Sequence, residues 1–307
     1  MKTIFFGSSG FAVPALRALA ASHDVRAVFT QPDRPAGRKL RLTPTPIKAA
    51  AQSLGLDVFM PERLDAAFAS LVEGLHPQLL ACVAYGKILP PALLDIPGMS
   101  ALNAHPSLLP QYRGAAPIQA ALREGRSETG VTIIWMSAEM DAGDIALSRA
   151  AAILPDDDYG TLHDRLAGIA ADLMLEAAAQ LAAGTLPRMP QEHGRATYVR
   201  PLSKADLRLR FDQPAPQVAN FVRSASPTPG AWLVLGGKRV KVLAARAEPA
   251  GAQTAELAPG EIVELGGDGP LIACSPGALR LLRVVPEGRA PGAGAEFARA
   301  LERRSGS

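Results

Sequence analysis

Asn103 and His105 alternate at the end of an apolar run, in G-M-S-A-L-N-A-H-P-S-L-L-P-Q-Y-R-G-A-A-P over residues 98–117. Side chains two apart on a strand share a face, so an amide and an imidazole stand side by side there. The loop beyond them is stiffened by Pro106 and Pro110 and closed by Arg113-Gly114. An amide and a histidine so placed can hydrogen-bond a carbonyl oxygen and stabilise the oxyanion that develops when the carbonyl is attacked. A nearby carboxylate orients the imidazole or relays its proton. Asp141 and Asp144, in M-D-A-G-D, both offer one, and spacing alone does not choose between them. The set suits an acyl-type transfer between two bound substrates, without a covalent enzyme intermediate.

Other chemistries fit these residues less well. Ser107 with His105 and Asp141 would make a hydrolase triad, but Ser107 lacks the glycine-flanked elbow that exposes such a nucleophile. No His-x-x-x-His and no cysteine cluster is present, so no metal is expected. His23, His76, His163 and His193 are scattered and read as surface or satisfied histidines; Trp135 and Trp232 read as packing residues. Cys82 and Cys274 stand far apart in apolar runs, which suggests buried thiols in a reducing compartment.

The elements that must position Asn103 and His105 follow an α/β alternation. Lys2–Phe6 reads as a strand, residues 7–10 as a glycine turn and residues 11–21 as a helix. That turn has a single G-x-x-G and reads as a helix start rather than a dinucleotide fingerprint. A second strand at Val25–Thr30 runs into residues 31–46, where prolines and Gly37 argue against regular structure. Arg34, Arg38, Lys39 and Arg41 fall within eight positions of that stretch, opposed only by Asp33, which reads as a phosphate-contacting loop. Further strands are expected near Val58, at Leu79–Ala84, up to His105, at Glu128–Met136 and at Ile145–Leu154, with a long helix from Tyr159 to Ala183. The alternation predicts a mostly parallel sheet covered on both faces, with ligands beyond the strands' carboxyl ends. From Gly184 to about Arg208 the pattern weakens into a linker. A short helix at Pro216–Ser224 and several short strands separated by Gly/Pro turns then suggest a small β-barrel or sandwich, with Leu301–Ser307 frayed.

At 307 residues the chain is long enough for two cores, and 48% hydrophobic with 20% charged residues is a globular composition. Residues 1–199 carry 17 Lys+Arg against 19 Asp+Glu, and residues 200–307 carry 15 against 10, so the excess positive charge lies in the second half. That asymmetry fits a polyanionic partner as well as it fits an arginine-rich composition. The strand pattern starts at Lys2, leaving no room for a signal peptide, and no apolar run nears the roughly 18 residues that span a bilayer. A soluble cytoplasmic protein with no membrane partner is expected.

N-A-H-P-S-L-L-P-Q-Y-R-G-A-A-P-I-Q with M-D-A-G-D resembles the folate-dependent formyltransferases. F-T-Q-P-D-R-P-A-G-R at 29–38, A-Y-G-K-I-L-P at 84–90 and E-T-G-V-T-I at 128–133 make the set similar to the branch whose acceptor is a charged tRNA. The resemblance implies transfer of the formyl group of 10-formyltetrahydrofolate to the α-amine of methionyl-initiator tRNA. It assigns catalysis to Asn103, His105 and Asp141. It assigns the folate to Ser107, Leu108, Leu109 and Pro110, with Tyr85, Gly86, Ile88 and Leu89 lining the pterin pocket. It gives the tRNA acceptor end to Arg38, with Lys39 and Arg41 as helpers. It further implies a Rossmann-like catalytic domain over residues 1–189, a linker over 190–207 and an OB-like tRNA-binding domain over 208–307. A monomer is expected. Two departures from the pattern stand out: Thr228 replaces a tryptophan common between the flanking prolines, and Pro106 replaces a glycine common after the histidine. The same trio would also serve a sugar-nucleotide amine formyltransferase or a deformylating hydrolase, from which the basic stretch at 34–41 discriminates. A non-catalytic tRNA-binding module is the reading from a different class.

Overall fold

Short runs with almost no polar residue fold as strands only where both faces are covered, and the first strand has five of its six residues buried. The computed structural model describes residues 1–36, 41–251 and 256–305. Its contacts divide the chain into two compact units: Met1–Pro117 with Glu128–Ala152 and His163–Arg200, and Ile118–Ser127 with Ile153–Leu162 and Pro201–Ser307.

Along the chain, β1 (Lys2–Gly7), a 3-10 turn and α1 (Val13–Ser22) lead into β2 (Asp24–Phe29). The short strands β3 (Arg34–Ala36) and β4 (Arg41–Thr43) precede α2 (Pro46–Ser53), β5 (Val58–Phe59) and α3 (Ala66–Glu73). Next come β6 (Leu79–Val83), α4 (Pro91–Leu94), β7 (Ser100–His105), β8 (Arg113–Gly114) and α5 (Pro117–Arg123). The strands β9 (Glu128–Trp135) and β10 (Ile145–Ala152) are followed by α6 (Tyr159–Ala182) and β11 (Tyr198–Val199). The capping chemistry is local. Thr45 accepts the Lys48 amide at the start of α2, with Pro46 in the first turn, and Asp65 accepts the Phe68 amide at the start of α3.

The first unit is built on a seven-stranded sheet in the order β10-β9-β7-β6-β1-β2-β5. The five strands from β7 to β5 are parallel; β9 joins β7 antiparallel, and β10 joins β9 antiparallel at the edge. This is the mostly parallel α/β sheet expected. One face of its core is aromatic: Phe6 stacks on Phe29 with centroids 4.7 Å apart and meets Tyr85 edge-on at 5.1 Å.

Three local features differ from the sequence reading. Residues 31–46 are not wholly irregular, because β3 and β4 pair as an antiparallel ribbon with Pro35 opposite Leu42. Proline is tolerated there because each strand of a two-stranded ribbon has a free edge. The ribbon's base is tied to α2 through the Asp33–Lys48 ion pair at 2.6 Å. Second, β9 does not share the carboxyl side of the parallel strands. Trp135 pairs with Leu102 and Thr132 with His105, so the chain leaves β9 beside the start of β7 and residues 136–144 must return. Third, residues 190–200, within the expected linker, belong to the first unit, where β11 pairs in parallel with β8.

The second unit holds a six-stranded antiparallel sheet: β12 (Ala231–Leu235), β13 (Lys238–Glu248), β16 (Ala278–Pro286), β15 (Gly269–Ala273) and β14 (Ile262–Gly266) in that spatial order, with β17 (Gly292–Ala293) on β16. Its core gathers Val218 and Val222 of α7 (Ala215–Ala225) with Val240, Val242, Leu279 and Leu281 of the sheet. Of the C-terminal stretch expected to fray, residues 301–305 instead close α8 (Gly294–Ser305), which buries Leu301 in that core, and residues 306–307 lie outside the described residues. Phe297, Ala298 and Leu301 form its narrow apolar stripe, hidden in sequence among Glu and Arg.

Leu301→Ala should lower unfolding free energy by about 2–5 kcal/mol, the cost of emptying a buried leucine site. Urea denaturation checks it; a loss within about 0.5 kcal/mol of zero, as at ordinary surface sites, would mean α8 does not pack there.

Candidate active site

Because β7 is a buried strand with two-residue alternation, Asn103 and His105 share a face, with Asn103 half-buried and His105 only 4% exposed. Their neighbours across the sheet are Cys82 and Ile134 for Asn103, and Thr132 for His105. The Asn103 carboxamide has no hydrogen-bond partner among the described residues and remains available to a ligand.

The turn after β7 is pinned from below by Thr132 of β9, a residue that sequence reading passed over. The Thr132 hydroxyl donates to the Ser107 carbonyl at 2.7 Å and accepts the Leu109 amide at 3.2 Å. Ser107 is fully buried and spends its hydroxyl on the Gln111 carbonyl at 2.6 Å, so it is no nucleophile. Leu109 is buried, and Leu108 and Pro110 are half-buried. The chain then turns through Tyr112 at φ 61°, a left-handed conformation uncommon outside glycine. That turn aims the Tyr112 carbonyl at His105, 2.9 Å from Nε2. A carbonyl only accepts, so Nε2 carries the hydrogen and Nδ1 is the nitrogen left to work.

Asp141 meets that nitrogen. Its Oδ2 lies 3.6 Å from His105 Nδ1 and accepts the Gly114 amide at 2.9 Å. The aspartate also sits at φ 53°. Gly143, two residues on, leaves no room for a side chain, since a Cβ there would fall 1.8 Å from the Trp135 carbonyl oxygen. Asp144 gives its carbonyl to the Trp135 amide, and its side chain takes no part in the histidine contact. The structure therefore brings Asp141, not Asp144, to the imidazole.

The wall beside these groups is apolar. Burial pushes the Cys82 thiol up to about 12, and the Asp141 carboxylate adds to the shift. Burial likewise pushes the Tyr85 hydroxyl up to about 12, with Cys82 contributing. The Tyr85 ring packs in the core against Phe6, and its hydroxyl has no partner among the described residues. Leu89 is buried in the same core, Gly86 turns at φ 84°, and Ile88 is 65% exposed. Arg38 and Lys39 lie outside the described residues, and Arg41 opens β4. Among the described residues no three His, Cys, Asp or Glu side chains cluster as metal ligands, and no helix is long and apolar enough to cross a membrane.

A mostly parallel sheet carrying an amide, an imidazole and a carboxylate at one strand end, followed by a small antiparallel unit, defines a two-part group-transfer enzyme. The chain belongs to the formyl transferase family: the family's profile matches residues 1–178, and that of the formyl transferase C-terminal domain matches residues 201–302. Among its relatives is the methionyl-tRNA formyltransferase of Moorella thermoacetica, 41% identical over 292 residues, covering 94% of this chain and 93% of that protein. The methionyl-tRNA formyltransferase of Pseudomonas fluorescens is 45% identical over 294 residues, with 94% and 91% covered. Solved structures share the fold at low identity. An N-formyltransferase from Helicobacter canadensis superposes with a TM-score of 0.64 at 14% identity, covering 92% of this chain and 99% of that one. HypX from Aquifex aeolicus in complex with tetrahydrofolic acid gives 0.63 at 17%, with 97% and 46% covered.

Burial of Cys82 sets the sign of an alkaline effect. Its folded value of about 12 lies above the ordinary 9.0, so the unfolded chain loses its proton first. The stabilisation is complete below pH 9 and is lost as pH rises from there toward 12. Urea unfolding along that range should show falling stability with a shallower slope in Cys82→Ala; equal slopes would contradict the burial argument.

Proposed function

We propose that this chain transfers the formyl group of 10-formyltetrahydrofolate to the α-amine of methionyl-initiator tRNA. The observation that carries the reading is His105 held between the Tyr112 carbonyl and Asp141, beside an unpartnered Asn103 carboxamide, in a chain whose relatives over nearly its whole length are methionyl-tRNA formyltransferases.

The donor supplies an electrophilic formyl carbon bound to a nitrogen leaving group. Asn103 donates an amide hydrogen to the formyl oxygen as charge develops on it. His105, with Nε2–H committed to Tyr112, acts through Nδ1, which either donates to that oxygen or takes a proton from the attacking amine. Asp141 faces the same nitrogen and balances the imidazolium charge. As the tetrahedral adduct collapses, the carbon–nitrogen bond to the folate breaks, the proton taken from the amine passes to the leaving nitrogen, and tetrahydrofolate departs. The attacking amine must be neutral, so a base beside it is needed at ordinary pH. The folate is assigned to the turn Ser107–Leu109–Pro110 with Leu108, and to the loop bearing Tyr85, Gly86, Ile88 and Leu89. The Thr132 clasp gives that turn the rigidity a binding edge requires. Tyr85 and Leu89 serve there by supporting the loop from the core, and Ile88 is its exposed apolar side chain. Arg38, Lys39 and Arg41 are assigned to the tRNA acceptor end, and the second unit to the body of the tRNA. The protein works as a cytoplasmic monomer without a metal.

The test is formyl transfer to charged initiator Met-tRNA, with uncharged tRNA and water as parallel acceptors. Formyl-methionyl-tRNA is the expected product, and free formate or tRNA binding without turnover would overturn the reading. His105→Ala should cut kcat by roughly 10²–10⁴ with little change in either KM. Arg38→Ala should raise the KM for tRNA in a salt-dependent way and leave folate binding intact. A collapse of folate affinity in that variant would refute the loop's assignment.

A further inference from the structure

Arg113 is buried to 1% exposure, yet no carboxylate faces it among the described residues. Leaving a guanidinium in the interior on neutral acceptors alone is costly, so its partners matter. Nη1 donates to the Tyr198 hydroxyl at 3.1 Å, and Nη2 donates to His193 Nδ1 at 3.1 Å. The remaining bonds converge on one atom: Nε and Nη2 both donate to Gln191 Oε1, at 3.2 and 2.7 Å.

That convergence decides which way the Gln191 amide points. Arginine has only donors, so the amide oxygen must face it and the amide nitrogen must face away. Gln191 is itself 5% exposed, and its Nε2 places both hydrogens on the M-D-A-G-D loop. One goes to the Asp141 carbonyl at 2.9 Å, the other to the Gly143 carbonyl at 2.7 Å. The loop they grip holds Asp141 in the left-handed region, which persists only where the surroundings over-determine it. The residue after Arg113 adds a third hold through the Gly114 amide on Asp141 Oδ2. The strand β8 therefore grips one aspartate twice, through its own backbone and through Arg113 by way of Gln191.

We propose that Gln191, oriented by Arg113, is the positioning residue that sets the Asp141 carboxylate against His105 Nδ1. The inference rests on the reading that Asp141 and His105 work together in formyl transfer. Gln191 touches no reacting atom. It acts by fixing the backbone from which the carboxylate projects, and a shift of about 1 Å in such a group can cost on the order of 10² in rate.

Gln191→Glu separates the two ends of the amide, since it keeps the oxygen acceptors for Arg113 and removes both donors to the loop. Gln191→Met keeps the volume and removes both ends. In Gln191→Glu, kcat for formyl transfer should fall on the order of 10- to 100-fold with both KM values nearly unchanged. In an Asp141→Asn background the same change should cost nothing further, because the group it positions is already disabled. A loss of equal size in both backgrounds, or an unchanged kcat, would overturn the proposal. Hydrogen exchange gives a reading independent of turnover. The Gly114 amide and the amides of residues 139–144 should exchange faster in Gln191→Met, while those of β1 and β6 stay protected. Unchanged exchange at Gly114 would sink the clamp even in an active enzyme. Absence of formyl transfer by the wild type would instead sink the functional reading, and the exchange result would still decide the clamp.

Discussion

Asp141 has to serve two partners with one oxygen. Its Oδ2 accepts the Gly114 amide at 2.9 Å and stands 3.6 Å from His105 Nδ1, so three separate segments must arrive together: the end of β7, the turn after it and the loop that returns from β9. Two of the three, the turn and the returning loop, contribute backbone that is unfavourable by itself. Tyr112 and Asp141 are left-handed, and Ala84, at the end of β6, is left-handed at φ 46°. Such conformations cost on the order of 1–3 kcal/mol each and survive only where hydrogen bonds and packing leave no alternative. Here the alternatives are closed by the Thr132 clasp below the turn and by the tight passage of Gly143 against Trp135.

The core explains why this arrangement can be held rigidly. The parallel strands β1, β6 and β7 are buried on both faces, and Phe6, Phe29 and Tyr85 fill the space beneath the site. A dry wall of this kind also strengthens the charge interactions in front of it, because a lower effective dielectric screens them less. Cys82 registers that environment directly: it neighbours Asn103 in the sheet, and burial pushes its thiol up to about 12.

The fold itself tolerates wide replacement. Structures only 14% and 17% identical to this chain follow it over 92% and 97% of its length. A core asks its side chains for apolarity and volume, which many sequences provide. The histidine contact asks for more, because an imidazole tautomer, a carboxylate and two left-handed turns have to agree at once.

Much of this was legible in the residues alone. The apolar runs, the alternation of Asn103 with His105, the long helix and the short Gly/Pro-separated strands all follow from periodicity, a local property that survives without the partner segments. The choice of Asp141 over Asp144 was not legible from spacing. It depends on a loop that doubles back from an antiparallel strand, and strand direction is set by pairing across the sheet. Gln191 was hidden for a similar reason. It lies in a weakly patterned segment, 50 residues from the aspartate it grips and 78 from the arginine that orients it. The apolar stripe of α8 was masked by its charged neighbours until the sheet beneath it showed which side was buried. Neighbours along the chain govern which elements form and where polar chemistry meets a strand end, so the residues alone suffice to read both. Which carboxylate, which turn and which glutamine meet there follows from packing, because hydrogen bonds between distant segments exist only once those segments are in place.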